Sequence, residues 1–219
     1  MTEKEPTPIT ATKAISNSVL GISLFAILAA GVIALTQVTT SSKIEANIRE
    51  AQSRALYEIY PATLDPKLYE HRLTLNANEL NFDRPVDGFQ AIVDDRVHGV
   101  ILPVRTKEGY SGDIDLLVGI NNDGKIASVR VISHTETPGL GDKIELAKSE
   151  WILSFNGQSR TSNKDPRWAV KRDGGQFDQF TGATITPRAV VAATAIALNY
   201  FERHRNDLLQ IKGALPDEQ

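Results

Sequence analysis

Cysteine is absent from the 219-residue sequence. That one absence removes disulfides, thiolate-held iron–sulfur clusters, cysteine-attached haem and thiol nucleophiles together. A redox role must then rest on a bound organic cofactor or on another kind of metal site. Histidine is scarce as well: His71, His98, His134 and His204 are the four. None falls in a His-x-His or His-x3-His pair, so no zinc or non-haem iron centre is expected and no metal site is assigned. Charge of one sign is also missing. The 24 Lys and Arg nearly balance the 27 Asp and Glu, leaving −3, and the basic residues are scattered, which argues against a nucleic-acid surface. The chain holds no Gly-x-Gly-x-x-Gly dinucleotide fingerprint and no internal repeat.

What is present begins with a long uncharged run. From Ala14 to Ser42 no residue is charged, and Val19–Val38 reads VLGISLFAILAAGVIALTQV. About twenty mostly apolar residues are what a helix needs to cross the hydrocarbon core. A secretory signal peptide has a shorter apolar core closed by a small-x-small site, whereas Ala29, Ala30 and Gly31 sit inside this run. The run is therefore read as an uncleaved membrane anchor. Lys4 and Lys13 precede it and Lys43, Arg49 and Arg54 follow, so charge bias does not choose the orientation. A short leader ahead of a large C-terminal domain is the arrangement of a signal-anchor.

Beyond the anchor, Ile44, Ile48, Ala51, Ala55 and Ile59 recur at helical spacing up to Pro61. Residues 62–88 are mixed polar sequence, read as helix or loop. Then come Val- and Ile-rich runs, AIVDDRVHGVILPVRT, DIDLLVGI and KIASVRVI, with Asn121-Asn122-Asp123-Gly124 between the last two as a hairpin signal. A helix is expected over Asp142–Phe155, with Ile144, Ala147, Trp151 and Ile152 on one face, and a final helix from Pro187 to about Leu209. Strands followed by helices predict an α+β fold. The expected plan is a leader over 1–18 and a transmembrane helix over 19–38. A helical stalk over 39–61, a soluble domain over 62–210 and a flexible tail over 211–219 follow.

The chemistry concentrates in DQFTGATITP, residues 178–187. Gly182 and Ala183 permit close approach to the backbone, Pro187 suits the first turn of a helix, and Thr186 is a natural N-cap. The amides and positive dipole end of that helix favour a phosphate beside the turn. Thr184 can contact such a phosphate or carry one as an ester. Equally, the run is read as a plain threonine-capped helix start, and composition leaves both readings standing. His134 is read either as a structural hydrogen-bonding group or as a proton donor. Trp151, Trp168 and Phe180 are read as core or as stacking surfaces.

The pattern Asp178-x-x-Thr181-Gly182-Ala183-Thr184 resembles the flavinylation motif of the FMN-binding domain family, with Thr181 in place of the commoner serine. Together with His134-Thr135-Glu136-Thr137-Pro138-Gly139-Leu140-Gly141 and the flanks KRDGGQF and ITPRAVV, it looks like the G subunit of Rnf ion-translocating electron-transport complexes. The resemblance covers roughly residues 95–200. It implies one N-terminal transmembrane helix followed by an FMN-binding domain with an antiparallel sheet and packed helices. It also implies FMN esterified to Thr184 by a separate flavin transferase that reads Asp178, with Glu136, Thr137, Pro138, Gly139, Leu140 and Gly141 against the flavin. The expected role is electron transfer within a multi-subunit translocase, without a catalytic residue or substrate site of its own. In that family electrons pass between NADH and ferredoxin, or to a redox sensor, coupled to ion movement. The expected location is the bacterial inner membrane, single-pass, with the C-terminal domain in the periplasm beside other membrane and peripheral subunits. The C subunit of the sodium-translocating NADH:quinone reductase and a non-redox membrane-anchored binding or assembly module are the alternatives.

Overall fold

The computed structural model of the protein describes residues 11–211. The first ten residues of the expected leader and residues 212–219 of the tail lie outside it, as do the side chains of 11–14, 17 and 42–52. The chain divides into two compact units, Met1–Glu50 and Ala51–Gln219. Helix α1 (Ala11–Ile59) supplies all that is described of the first unit. Within it, Ser18–Ser41 is long and apolar enough to cross a membrane. Its 24 residues extend roughly 36 Å at 1.5 Å per residue, enough for a hydrocarbon core of about 30 Å. Two hydroxyls near its end are satisfied within the helix: Thr36 donates to the Val32 carbonyl at 2.8 Å and Thr39 to that of Leu35 at 2.9 Å. Threonine there leaves no unpaired donor for lipid.

The second unit is an antiparallel meander in sequence order: β1 (Arg72–Leu75), β2 (Val86–Val93), β3 (Arg96–Thr106), β4 (Ile114–Asn121) and β5 (Ile126–Ser133). Alternation decides which face each residue joins. Val100, Leu102 and Val104 of β3 and Leu116, Val118 and Ile120 of β4 face one core, together with helix α2 (Ile185–Leu208). Ile101 and Leu117 face the other, under the last turns of α1, where Leu56, Ile59 and Tyr60 are buried. Gly99 and Gly119 lie on this second face because a Cβ there would collide with Tyr60 and Ile59 respectively. The same contact buries the Tyr60 hydroxyl, which donates to Asn121 Oδ1 at 2.9 Å, and burial pushes its pKa well above the usual phenol range.

The expected α+β class and antiparallel sheet are found, and the Asn121–Gly124 hairpin is there with Gly124 at φ +88°. Four local expectations change. The run at 91–106 is two strands, because Asp94 and Asp95 both take positive φ (49° and 54°) and make a two-residue turn of the type I′ kind. Residues 72–75 form the edge strand β1, not helix or loop. Asp142–Phe155 is not an α-helix but two 3₁₀ segments, Gly141–Ile144 and Glu150–Phe155. Glu145 is extended, and the Ser149 side chain accepts the Trp151 amide at 3.1 Å, restarting the chain. Finally, α2 begins at Ile185 rather than Pro187, which makes Thr184 the N-cap residue. Its Val190, Ala193, Ala197 and Phe201 are fully buried at three- and four-residue spacing, and the small residues among them let the helix lie close on the sheet.

Candidate functional site

At the head of α2 three stretches of chain enclose a cavity of about 440 Å³. The loop joining β3 to β4 contributes Tyr110; the segment after β5 contributes Glu136, Thr137, Leu140 and Gly141; the approach to α2 contributes residues 182–186. Two glycine-centred turns face each other here. In the first, the Leu140 amide bonds the Thr137 carbonyl at 3.1 Å across Pro138-Gly139, with Gly139 at φ +78°. Pro then Gly at these positions is the signature of a type II turn. In the second, the Ala183 amide bonds the Phe180 carbonyl at 3.2 Å, with Gly182 at φ +84°. A Cβ on Gly182 would lie 3.5 Å from Leu140 Cδ2, so the turns are in near contact.

Glu136 ties the walls together. It is 4 % exposed, yet both carboxylate oxygens have partners. Oε1 accepts the Ser111 amide at 2.9 Å, fixing the loop that carries Tyr110, and Oε2 accepts the Thr186 hydroxyl. The Glu136 amide in turn donates to His134 Nδ1 at 3.0 Å, and His134 Nε2 meets Glu145 Oε1 at 2.7 Å. With Nδ1 accepting, the imidazole proton sits on Nε2 and points at Glu145. His134 is thus a structural hydrogen-bonding group, held away from the cavity.

Thr184 differs from its neighbour two residues on. Thr186, expected as the helix cap, is fully buried and bonded to Glu136. Thr184 occupies the N-cap position and lines the cavity, and its hydroxyl makes no capping bond and has no partner among the described residues. The first amides of a helix lack carbonyl partners and carry the positive end of its dipole. Pro187 removes one of these, leaving Ile185 and Thr186 beside the Thr184 hydroxyl. Among the described residues no Lys or Arg lines the cavity. Two cations near the helix head are engaged elsewhere: Arg188 makes a two-pronged pair with Asp173 at 2.6 and 2.7 Å, and Lys171 meets Asp178 at 2.6 Å. The Arg188 guanidinium holds the Asp173 carboxyl below its usual range.

The family comparisons agree with this anatomy. Residues 109–199 match the model of the FMN-binding domain, and residues 1–59 match that of the RnfG N-terminal region. The first of these stretches contains every residue lining the cavity; the second ends with α1. A protein of Shewanella piezotolerans, named as the G subunit of an ion-translocating oxidoreductase complex, is 44 % identical over 192 residues, covering 86 % of this chain and 90 % of that one. The G subunit of Pseudomonas aeruginosa is 46 % identical over 194 residues (86 % and 89 % of the two chains), and that of Vibrio cholerae 40 % over 196 (89 % and 94 %). The chain belongs to the RnfG family.

An FMN-binding domain of this family needs room for a flavin, and the cavity lies within the range of about 300–1,000 Å³ usual for small-molecule sites. Its lining of Leu140, Ile185 and Tyr110 suits a flat ring, and the Thr184 hydroxyl with the amides beside it suits a phosphoryl group. Of the site residues expected from sequence, Glu136, Thr137, Leu140, Gly182, Ala183 and Thr184 line the cavity. Asp178, Thr181, Pro138 and Gly139 do not; they lie on the exposed sides of their turns. Gly141, expected at the end of the same stretch, lines it too, and Tyr110, Ile185 and Thr186 line it without having been expected there. Gly109 and Gly112 on either side of Tyr110 mark a turn in the sequence, but nothing local ties that turn to the cavity. Trp151 and Phe180, 5.0 Å apart edge to face, brace the motif from behind, and the Trp151 indole N–H donates to the Asp178 carbonyl at 2.8 Å. Trp168 and Phe177 are core.

Proposed function

We propose that this chain is a membrane-anchored electron carrier whose FMN is esterified to Thr184, working within an ion-translocating oxidoreductase complex. The observation that carries the reading is an unpartnered hydroxyl at a helix head, opening on an apolar cavity that no cation lines among the described residues. A free FMN phosphate carries between one and two negative charges near neutral pH. Holding it by contacts alone would call for Lys or Arg, as phosphate sites generally do. An ester to threonine leaves a single negative charge, which two amides and a helix dipole can accommodate. FMN, when bound, supplies the capacity to accept and release electrons. The protein's part is to fix where the ring sits, and to keep it from diffusing away.

Ester formation requires an activated flavin phosphate, an anhydride whose P–O–P bond breaks as the Thr184 Oγ1–P bond forms, and a base that takes the hydroxyl proton. Both oxygens of Glu136 already accept hydrogen bonds, and no other lining side chain is a base. Activation therefore falls to a separate flavin transferase. Asp178 is exposed and ion-paired with Lys171 outside the cavity, which supports its being read by such an enzyme. The other partners are the remaining subunits of the complex, since this chain has neither iron–sulfur ligands nor a dinucleotide fingerprint with which to take electrons from a substrate. Residues 1–18 are assigned to the cytoplasm, and 39–61 to a stalk leading to the FMN-binding domain in the periplasm, where a tether prevents loss of the cofactor.

The test is to express the full chain with its flavin transferase, denature it and look for flavin fluorescence on the protein band. Thr184→Ala should abolish the signal and Thr186→Ala should retain most of it. Protease added to spheroplasts should remove the fluorescent band. A wild-type band without fluorescence would overturn the covalent tether, and a protected band would place the domain in the cytoplasm.

A further inference from the structure

Large apolar side chains exposed to water are rare in the second unit. Among its described residues they are Tyr110, Leu140, Ile185 and Ile211, and the first three line the same cavity. Tyr110 stands out because its exposure, 68 %, does not come from a loose loop. The Ser111 amide is held by Glu136 at 2.9 Å, the Ser111 carbonyl accepts the Thr135 hydroxyl at 2.9 Å, and the Glu108 amide is held by Thr106 Oγ1 at 3.2 Å. Both glycines of the loop are required. A Cβ on Gly109 would strike the Gly112 carbonyl and come within 2.8 Å of Glu136 Oε1, and Gly112 sits at φ +140°. The backbone is therefore built to hold a phenol ring at the cavity mouth. That ring makes no hydrogen bond, ion pair or aromatic contact with the rest of the described residues. Apolar surface left in water is unfavourable, so a fixed aromatic ring in this position is an unfilled half of a contact.

We infer that Tyr110 is the aromatic wall that packs on the flavin ring, with Leu140 and Ile185 as its aliphatic counterparts. This rests on the assignment of FMN to Thr184: a phosphoryl group anchored there leaves the ring within one ribityl chain's reach, inside a cavity that Tyr110, Leu140 and Ile185 line. Flat π-systems favour an aromatic neighbour in offset-stacked or edge-to-face contact. Glu136 acts on the ring indirectly, as the positioning residue that holds the Tyr110 loop.

The inference is tested on the full-length, flavinylated chain in detergent by collisional quenching of its flavin fluorescence with iodide. Denatured samples give the covalent flavin content of each variant. Tyr110→Ala should be loaded normally, and its iodide accessibility should rise roughly two- to tenfold, the factor expected for losing one aromatic contact. Tyr110→Phe keeps the ring and should stay close to wild type, which separates packing from any role of the hydroxyl. Unchanged iodide access in a fully loaded Tyr110→Ala would overturn the inference and leave the tether intact. A Tyr110→Phe as accessible as Tyr110→Ala would overturn it too. Absence of covalent flavin from the wild-type band would overturn the tether, and this inference with it.

Discussion

Helix α2 borders two hollows of similar size: the cavity of about 440 Å³ at its head, and a groove of about 510 Å³ beside Ala192, Ala193 and Ile196. The β3–β4 loop lines both, offering Tyr110 to the first and Lys107 with Glu108 to the second. The groove has more room, but four of its six polar side chains already have partners, and the other two, Asn78 and Glu108, stand in open solvent. Asn81 Nδ2 donates to the Arg105 carbonyl at 2.9 Å, Thr106 Oγ1 accepts the Glu108 amide, and Lys107 pairs with Asp83 at 3.4 Å. The cavity presents the reverse: a threonine hydroxyl without a partner and apolar side chains left in water, over a base in which Glu136 and Thr186 are fully bonded. Volume does not separate the two hollows. What separates them is which groups have been left unpaired, and whether the backbone beneath those groups is fixed.

The contrast breaks most severely at Glu136. Replacing it with alanine leaves the Ser111 amide and the Thr186 hydroxyl without their acceptor, and each such loss costs about 1–3 kcal/mol in buried surroundings. A total of roughly 2–4 kcal/mol is expected, or a fall in Tm of about 5–15 °C for a domain of this size. Thermal unfolding of the full chain in detergent checks it. Glu136→Gln should lose far less: the amide oxygen can still accept from Ser111, and the amide nitrogen can donate to a reoriented Thr186 hydroxyl. Equal losses for the two variants would show that the carboxylate does not act as the staple between loop and helix.

Two of the glycines that line the cavity, Gly141 and Gly182, sharpen the comparison, because they are required for different reasons. A Cβ on Gly141 would lie 2.9 Å from the Glu136 Cβ and Oε2 and from Thr186 Oγ1, driving into the staple. Gly141→Ala should cost about 1–3 kcal/mol as an overpacked position. Gly182 has space, with Leu140 Cδ2 at 3.5 Å, but stands at φ +84°. Its alanine variant should cost roughly 1–2 kcal/mol through backbone strain alone. Asparagine tolerates that conformation better, so Gly182→Asn should recover part of the loss while Gly141→Asn recovers none. Melting temperatures of the four variants decide between steric and conformational causes.

How much of this is legible in the sequence follows the same division. The anchor, the Asn121–Gly124 hairpin, the α+β class and the run ahead of α2 are readable because each rests on local chemistry: an uncharged stretch, an Asp-Gly turn, a glycine before a helix. The hairpin at Asp94-Asp95 is not, since two aspartates carry no glycine signal and only the twist of the paired strands selects positive φ at both. On local grounds Thr186 is the cap. Its burial against Glu136 depends on a contact fifty residues away in sequence, which no window of neighbours reveals. Tyr110 escapes notice for the same reason, because its exposure acquires meaning only beside Leu140 and Ile185. The helix expected over Asp142–Phe155 fails differently. Its apolar spacing is real, but Ser149 accepting the Trp151 amide competes with helical bonding and restarts the chain.

The smallest expected effect lies in the groove. Lys107 and Asp83 are 56 % and 85 % exposed, and their pair is an open surface contact, the kind whose worth is about 0–1 kcal/mol. Lys107→Ala should therefore shift stability by no more than about 0.5 kcal/mol. Its flavin content and its iodide accessibility should match those of wild type, although Lys107 stands only three residues from Tyr110. The near silence of this variant is informative because the two residues share a loop. If loop mobility governed access to the cavity, loosening the loop at Lys107 would admit iodide as Tyr110→Ala does. If instead Glu136 and Thr106 pin the loop independently of its outer ion pair, the two hollows are energetically separate, and only the residue on the cavity side reports on the flavin.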